Sequence, residues 1–346
     1  MHEKPTGMKK EDLARTSSLY LLATLATLLV AVLLGERPLD LVAAWTSDDT
    51  DRWILVLRVK RAILATFAGG GLAVVGAALQ TLLRNPIVDP YFLGVSGGSA
   101  FGATCALAFG VQGIGLGLLG VPLFAFLGGL GATLLVIALA TRASNAGERG
   151  FSSETLLFAG VLLNSFFSAL ITVSKAVLPA LKTQELLRWF MGSLDTSDWG
   201  SILLVAISSS AGSLLLVRRS APLNALSMGR VAAESVGVAV RRLELEIAIV
   251  ASLIVGVVVS ATGMIAFVGL VVPQAIRRTR GGDARSLLPL SFLGGAILLL
   301  LSDTLARLLP RWTETALPVG AITALLGTPL FFFLARPRSG QFSGPG

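Results

Sequence analysis

The sequence predicts an all-α, polytopic membrane protein with ten transmembrane helices, both termini in the cytoplasm, and a further cytoplasmic helical segment between the sixth and seventh spans. Three observations lead there. Hydrophobic residues make up 54% of the 346-residue chain and charged ones only 14%, where a soluble domain carries roughly 25%, and the mean hydropathy is +0.80. The charges are clumped, so that Ser17–Gly35, Ala62–Leu83, Pro90–Thr141, Thr155–Ser174, Trp199–Val217, Ile247–Ile276, Ser286–Ser302 and Thr315–Ala335 contain no Asp, Glu, Lys or Arg. The basic residues between these runs gather on one side of the membrane the runs define.

About 20 apolar residues cross a hydrocarbon core of ~30 Å. Residues 1–16 are polar and mixed in charge, and read as a cytoplasmic N-terminal segment. Ser17–Gly35 is longer than a secretory signal core and ends without a small-residue cleavage site, so it reads as a permanent first span. Ala62–Leu83 is the second span, Pro90–Thr141 holds the third and fourth, and Thr155–Ser174 and Trp199–Val217 are the fifth and sixth. Ile247–Ile276 is long for one pass, about 45 Å as a helix, and short for two. Charge decides it. Arg218, Arg219, Arg230, Arg241 and Arg242 precede the run and Arg277, Arg278, Arg280 and Arg285 follow it; a single crossing would put the two clusters on opposite sides, against the positive-inside rule. Two passes broken near Thr262-Gly263 keep them together. Ser286–Ser302 and Thr315–Ala335 complete the set, giving one membrane domain over 17–335 and a cytoplasmic tail over 336–346. With this topology the whole net charge of +8 lies inside. Trp45, Trp53, Trp189, Trp199 and Trp312 fall in or beside outside loops, where amphipathic rings favour the interface.

The same inventory excludes much chemistry. His2 and Cys105 are the only residues of their kinds, so neither a His/Cys metal cluster nor an internal disulfide is available. Gly94-Val95-Ser96-Gly97-Gly98 fits the GxSxG pattern but lacks a histidine base, and Gly115, Gly117 and Gly120 fit GxGxxG inside a charge-free run with no strand before it. No lysine follows a glycine, so there is no P-loop; if ATP is used, another chain binds it. The basic balance reports membrane orientation rather than nucleic-acid binding, which wants a basic face with stacking aromatics. Glycine is abundant, 38 residues against a usual ~7%, which suits close helix packing in a membrane.

Polar groups at span ends are the candidates for function, because they are costly in lipid. Arg58 and Arg61 stand at the outer mouth of the second span and Arg307 at the outer end of the ninth. They read either as snorkelling or Asp303-paired interfacial charges, or as a receptive surface for a partner. The cytoplasmic segment 221–246 has helical character over Met228–Val240 between basic ends, and reads as a lipid contact or a docking element for a soluble partner.

An ordered set of short motifs resembles the FecCD-type permeases, the membrane subunits of ABC importers for iron-siderophores, haem and vitamin B12. It comprises Arg58-Val59-Lys60-Arg61, Gly71, Gly76, Gln80, Arg84-Asn85-Pro86, Asp89-Pro90, Leu93 to Gly98, Leu157 to Val161, Arg188-Trp189, Gly192-Ser193, Ala233, Gly237, Gly263 to Pro273, Asp303, Arg307, Leu317 to Gly320 and Gly327-Thr328-Pro329. The resemblance runs from about residue 55 to 335.

It implies ten helices per subunit, two membrane subunits (a homodimer is expected), two ABC ATPase subunits and an extracytoplasmic binding protein, in the cytoplasmic (inner) membrane of a bacterium. ATP and Mg would sit on the ATPases, with no cofactor or metal on this chain and no enzyme activity of its own. By the same resemblance Arg58, Arg61 and Arg307 receive acidic residues of the binding protein. Ala233, Glu234 and Gly237 lie in the coupling segment against the ATPase, and Asn85, Ile87, Ser153 and Glu154 belong to a cytoplasmic gate. Asn85 and Ile87 also read as an ordinary polar turn, and Ser153 and Glu154 as a helix N-terminus. Three positions depart from the pattern: Gln274 stands where a histidine follows the proline, Lys60 where proline is common, and Ala316 where glutamate is frequent, with Glu314 nearby. The rival readings are a secondary transporter, disfavoured because the span centres are nearly free of carboxylates, and a non-transporting membrane assembly subunit.

Overall fold

The structure, a computed structural model, describes residues 10–35, 49–110, 120–143, 153–195, 198–309 and 317–335. Among them the chain forms thirteen α-helices, one short 3-10 helix and no strand. In chain order the helices are α1 (Lys10–Leu33), α2 (Asp49–Leu82), the 3-10 helix (Pro90–Leu93), α3 (Val95–Ala108), α4 (Gly120–Ala143), α5 (Ser153–Val177), α6 (Ala180–Phe190) and α7 (Trp199–Arg218). There follow α8 (Ser220–Ser227), α9 (Arg230–Ser235), α10 (Val240–Thr262), α11 (Val268–Arg280), α12 (Ala284–Leu308) and α13 (Val319–Ala335).

Among the described residues seven helices are long and apolar enough to cross a membrane: α1, α2, α4, α5, α7, α10 and α12. α3 and α13 are shorter apolar helices, and α11 has 13 residues, about 20 Å. The ambiguous run does break where the charges require: α10 stops at Thr262, Gly263 takes φ 68°, and α11 starts at Val268 behind Phe267 at φ 69°. A phenylalanine in the left-handed region is costly. Its ring is accommodated because Gly327 on α13 presents no side chain against it.

The centre is α2, packed against α12, α7, α11 and α10. It is 34 residues long, about 51 Å, so the helix carries its outer arginines on regular turns beyond the apolar run. The α2–α12 contact is a backbone-to-backbone approach: a Cβ on Gly69 would strike the Gly295 carbonyl, and one on Gly295 the Gly69 carbonyl. Lipid supplies no hydrophobic drive between helices, and such close approach gains dispersion contacts instead. α2 meets α11 the same way, Gly76 facing the Gly269 carbonyl.

The helical character read over Met228–Val240 is present, but in short pieces. Gly229 at φ 121° separates α8 from α9, and Gly237 at φ 85° separates α9 from α10. The left-handed region that glycine alone enters freely is what breaks the periodic pattern.

Gly69→Ala should lower the stability of the detergent-purified subunit by about 1–3 kcal/mol, the usual range for overpacking. Gly131→Ala, on the exposed face of α4 with nothing within 4 Å of the added carbon, should leave it unchanged or slightly higher. Equal melting of both variants would contradict the close-approach account.

Candidate functional site

One end of the helix bundle is organised by one carboxylate. Arg58 and Arg61 lie one turn apart on α2, and Asp303 and Arg307 one turn apart on α12, so both pairs share a helix face. Arg61 donates through Nε and Nη2 to Asp303 Oδ1 at 3.1 and 2.7 Å, and Arg307 Nε donates to Oδ2 at 2.9 Å. Asp303 is 1% exposed, and two guanidinium partners are what make a buried charge tolerable. The other donors reach across to α1: Arg307 Nη2 to Ala31 O at 2.7 Å, Arg307 Nη1 to Leu34 O at 2.9 Å, and Arg58 Nη1 to Leu33 O at 3.0 Å. These are the last carbonyls of α1, unpartnered within the helix and at the negative end of its dipole.

Arg61 pairs in addition with the exposed Asp195 beyond α6. Lys60 Nζ lies 5.0 Å from the Trp199 ring centroid at the start of α7, a cation–π contact. Asp198 caps α7, and the amides and hydroxyl of Ser201 and Gly200 that it accepts hold its carboxyl below the usual range.

At the opposite end of α2 the chain turns through 83–89. Asn85 Oδ1 accepts from the Ile87 amide at 3.0 Å, and the Asn85 carbonyl from the Val88 amide at 3.4 Å. The turn leaves Ile87 58% exposed. Asp89 caps the 3-10 helix by accepting from Tyr91 N–H at 3.0 Å, and desolvation pushes its carboxyl up to about 6. Tyr91 Oη then bridges to the α10–α11 break, donating to Ile265 O at 3.0 Å and accepting from Ile265 N–H at 3.1 Å. Asn164 on α5 accepts from the Gly97 amide at 3.0 Å and so fastens the start of α3.

The third region is the segment formed by α8 and α9. α8 is tied to the α11–α12 turn, Asn224 donating to Asp283 Oδ1 at 2.6 Å and accepting from Ala284 N–H at 2.7 Å. Arg230 on α9 pairs with Glu234 and Glu244 beside a cleft of about 680 Å³ that extends to Arg242 and Leu245. Met228, Val231 and Val236 are exposed there, Val231 at 82%.

The FecCD transport family model matches residues 21–337. The chain belongs to the FecCD transport family. It is 33% identical to the hemin transport system permease protein HmuU of Yersinia pestis, over 95% of this chain and 99% of that one. It is 35% identical to the vitamin B12 import system permease protein BtuC of Salmonella typhi, over 92% and 93%. A solved structure described as an inward-facing, metal-chelate type ABC transporter superposes with a TM-score of 0.81 at 30% identity, covering 93% of this chain and 98% of that one.

In this FecCD permease the sequence-derived residues fall into place unevenly. Arg61, Arg307 and Asp303 form one cluster, with Arg58 beside it on the end of α1. The pairing with Asp303 read as one alternative is what the structure contains, and Arg58 is 6% exposed rather than a free surface charge. Ala233 is 0% exposed: it packs beneath α9, and the side chains presented to solvent are its neighbours Met228, Val231 and Val236. The signal for them was present in the sequence, as apolar residues flanking two helix-breaking glycines in a basic segment. Gly237 has open space around it and Glu234 is held by Arg230. Asn85 and Ile87 form the 83–89 turn. Ser153 opens α5, and the side chains of Ser153 and Glu154 lie outside the described residues, as do Glu314 and Ala316. Among the described residues no group of three or more His, Cys, Asp or Glu is placed to hold a metal ion.

Removing the buried Asp303 takes the shared carboxylate from two partly covered guanidiniums, Arg61 keeping only the exposed Asp195, so Asp303→Ala should cost up to about 3–5 kcal/mol in a chemical-denaturation series; a loss under about 1 kcal/mol would show that the cluster is incidental. Asp89 titrates higher in the folded chain, at about 6, than the ~3.9 of an unfolded Asp. Its contribution to stability is therefore complete below about pH 4 and lost as pH rises through about 6. Asp89→Asn keeps the acceptor for Tyr91 N–H, and the wild-type melting temperature should fall relative to the variant between about pH 4 and pH 7. Parallel curves would refute the assignment.

Proposed function

We propose that this chain is the permease subunit of an ATP-driven type II ABC importer that takes an iron-siderophore, haem or cobalamin-like ligand from an extracytoplasmic binding protein and passes it to the cytoplasm by alternating access. The observation that carries this reading is the near full-length similarity to permeases named for hemin and vitamin B12 transport. In this reading ten helices span a bacterial inner membrane with both termini inside, α3, α11 and α13 being the short members. Two copies form the pathway between them, and ATP and Mg reside on two ATPase subunits.

The outer cluster is the docking surface for the binding protein. It carries Arg58, Arg61 and Arg307 against Asp303 and Asp195, so an excess of positive charge faces outward and would steer an acidic partner. The coupling segment is α8–α9, and the exposed Met228, Val231 and Val236 are the side chains that an ATPase cleft would cover, with Glu234, Ala233 and Gly237 shaping the segment behind them. ATP binding shifts the permease between states only through its different affinity for the two. The 83–89 turn, with Asn85 and Ile87, and the start of α5, with Ser153 and Glu154, form the cytoplasmic gate.

Val231→Asp should abolish co-purification of an ATPase chain and ATP-dependent uptake in proteoliposomes while leaving the subunit folded; retention of both would reject α9 as the coupling surface. Single charge reversals on the outer face would also unbalance Asp303. The docking surface is therefore tested with Arg61→Gln and Asp303→Asn together, which should weaken binding-protein affinity about tenfold, the factor corresponding to 1.4 kcal/mol. Unchanged affinity with a folded double variant would remove the arginine docking role.

A further inference from the structure

Gln274, the position at which this chain departs from the resembled histidine, is hydrogen bonded in a way a neutral imidazole could not reproduce. Its single Nε2 donates to Pro86 O at 2.7 Å and to Gln80 Oε1 at 3.2 Å. A primary amide has two N–H groups on one nitrogen, whereas a neutral imidazole has one donor in all. Gln80, 2% exposed at the end of α2, turns its own Nε2 toward Val88 O at 3.1 Å and toward Gly269 O and Leu270 O at 3.3 and 3.2 Å on α11. The carbonyls of Pro86 and Val88 therefore find donors in two glutamine side chains, one on each flanking helix.

The segment is held at its far end as well. Pro90 packs against Gly269, where a Cβ would strike its ring, and Tyr91 Oη is bonded both ways to Ile265 just before α11. α11 is itself fixed to α2 by Arg277 Nη2, which donates to Thr81 Oγ1 at 2.6 Å and Ala77 O at 3.2 Å. Beyond α11, the Asp283 turn is bonded to Asn224 of α8 at 2.6 Å. The order of attachment is thus α8, the α11–α12 turn, α11, Gln274 with Gln80, and the 85–91 segment.

We propose that Gln274 is a positioning residue of the transport cycle: it fastens the 85–91 segment to α11, so that the cytoplasmic mouth opens and closes as α11 moves and not by free motion of that segment. The proposal rests on the importer reading for its function, but the attachment itself is a property of the subunit alone. Ile87, at the tip of the segment, would then follow α8 whenever an ATPase displaces it.

The test uses spin-label distances in the full-length subunit with Cys105→Ser, labels placed at Ile87→Cys and Arg280→Cys, and a second pair at Ile87→Cys and Gly131→Cys. With Gln274 present, the 87–280 distance should be single and narrow, both in the subunit in lipid nanodiscs and in the ATPase complex with and without ATP. The 87–131 distance should shift between the two nucleotide conditions. Gln274→Leu, and Gln274→Glu as an isostere without donors, should each broaden or split the 87–280 distribution in the subunit alone. In the complex they should cut uptake per ATP hydrolysed about tenfold, the size expected for losing one or two hydrogen bonds. A narrow, unshifted 87–280 distance in both folded variants would overturn the proposal. An absence of any ATP-dependent 87–131 shift or uptake in the parent chain, with the variants still broadening the 87–280 distance, would reject the importer reading and leave the attachment standing.

Discussion

A backbone carbonyl or amide inside a bilayer has no water to turn to, so every interruption of a helix must be hydrogen bonded by the protein itself. That constraint accounts for where this chain spends its polar side chains. The end of α1 is closed by Arg58 and Arg307, the start of α3 by Asn164, and the α10–α11 break by Tyr91. The 85–91 segment is closed by Gln80 and Gln274, and the turn into α12 by Asn224. Regular helix pairs need none of these groups, and meet through glycine, as Gly69 and Gly295 do.

The function proposed for the chain depends on this division. Helix pairs such as α2 and α12 are joined by close backbone approach, whereas the breaks between helices are held by side-chain hydrogen bonds that tie each break to a neighbouring element. The breaks fall beside Asp303 and its arginines, in the 83–91 region, and at Asn224 of α8, the three places that the proposed importer would use as outer face, inner mouth and coupling segment. In that proposal a push on α8 would reach the 83–91 region through bonded groups. The Asp303 cluster has a structural duty of its own, since Arg61 and Arg307 neutralise a buried carboxylate.

Much of this was legible in the sequence. Charge-free runs located the apolar helices, and the basic clusters on both sides of Ile247–Ile276 pointed to a break in it, which the structure has at Thr262-Gly263. The Arg61–Asp303 pair could be anticipated as an alternative from residue type alone. What could not be read was which of several nearby polar groups is shared: Asp303 serves two helices 242 residues apart in the chain, and Gln80 meets Gln274 over a separation of 194. Burial was equally hidden. Ala233 and Val231 are both small or apolar residues of one segment, and only the turn of α9 decides that the first is covered and the second exposed. The helical character read over Met228–Val240 is present in α9 but is cut short for a local reason, the positive φ of Gly229 and Gly237.

The claim that polar side chains close the breaks is tested most directly by hydrogen exchange of the subunit in lipid nanodiscs, read at single-residue level. The account predicts that the amides of Tyr91, Gly97 and Ile265, each bonded to a side-chain oxygen, exchange as slowly as those in the middle of α2. Exchange at the rate of an unstructured peptide at these three positions would contradict it, and would mean that the breaks are hydrated rather than closed.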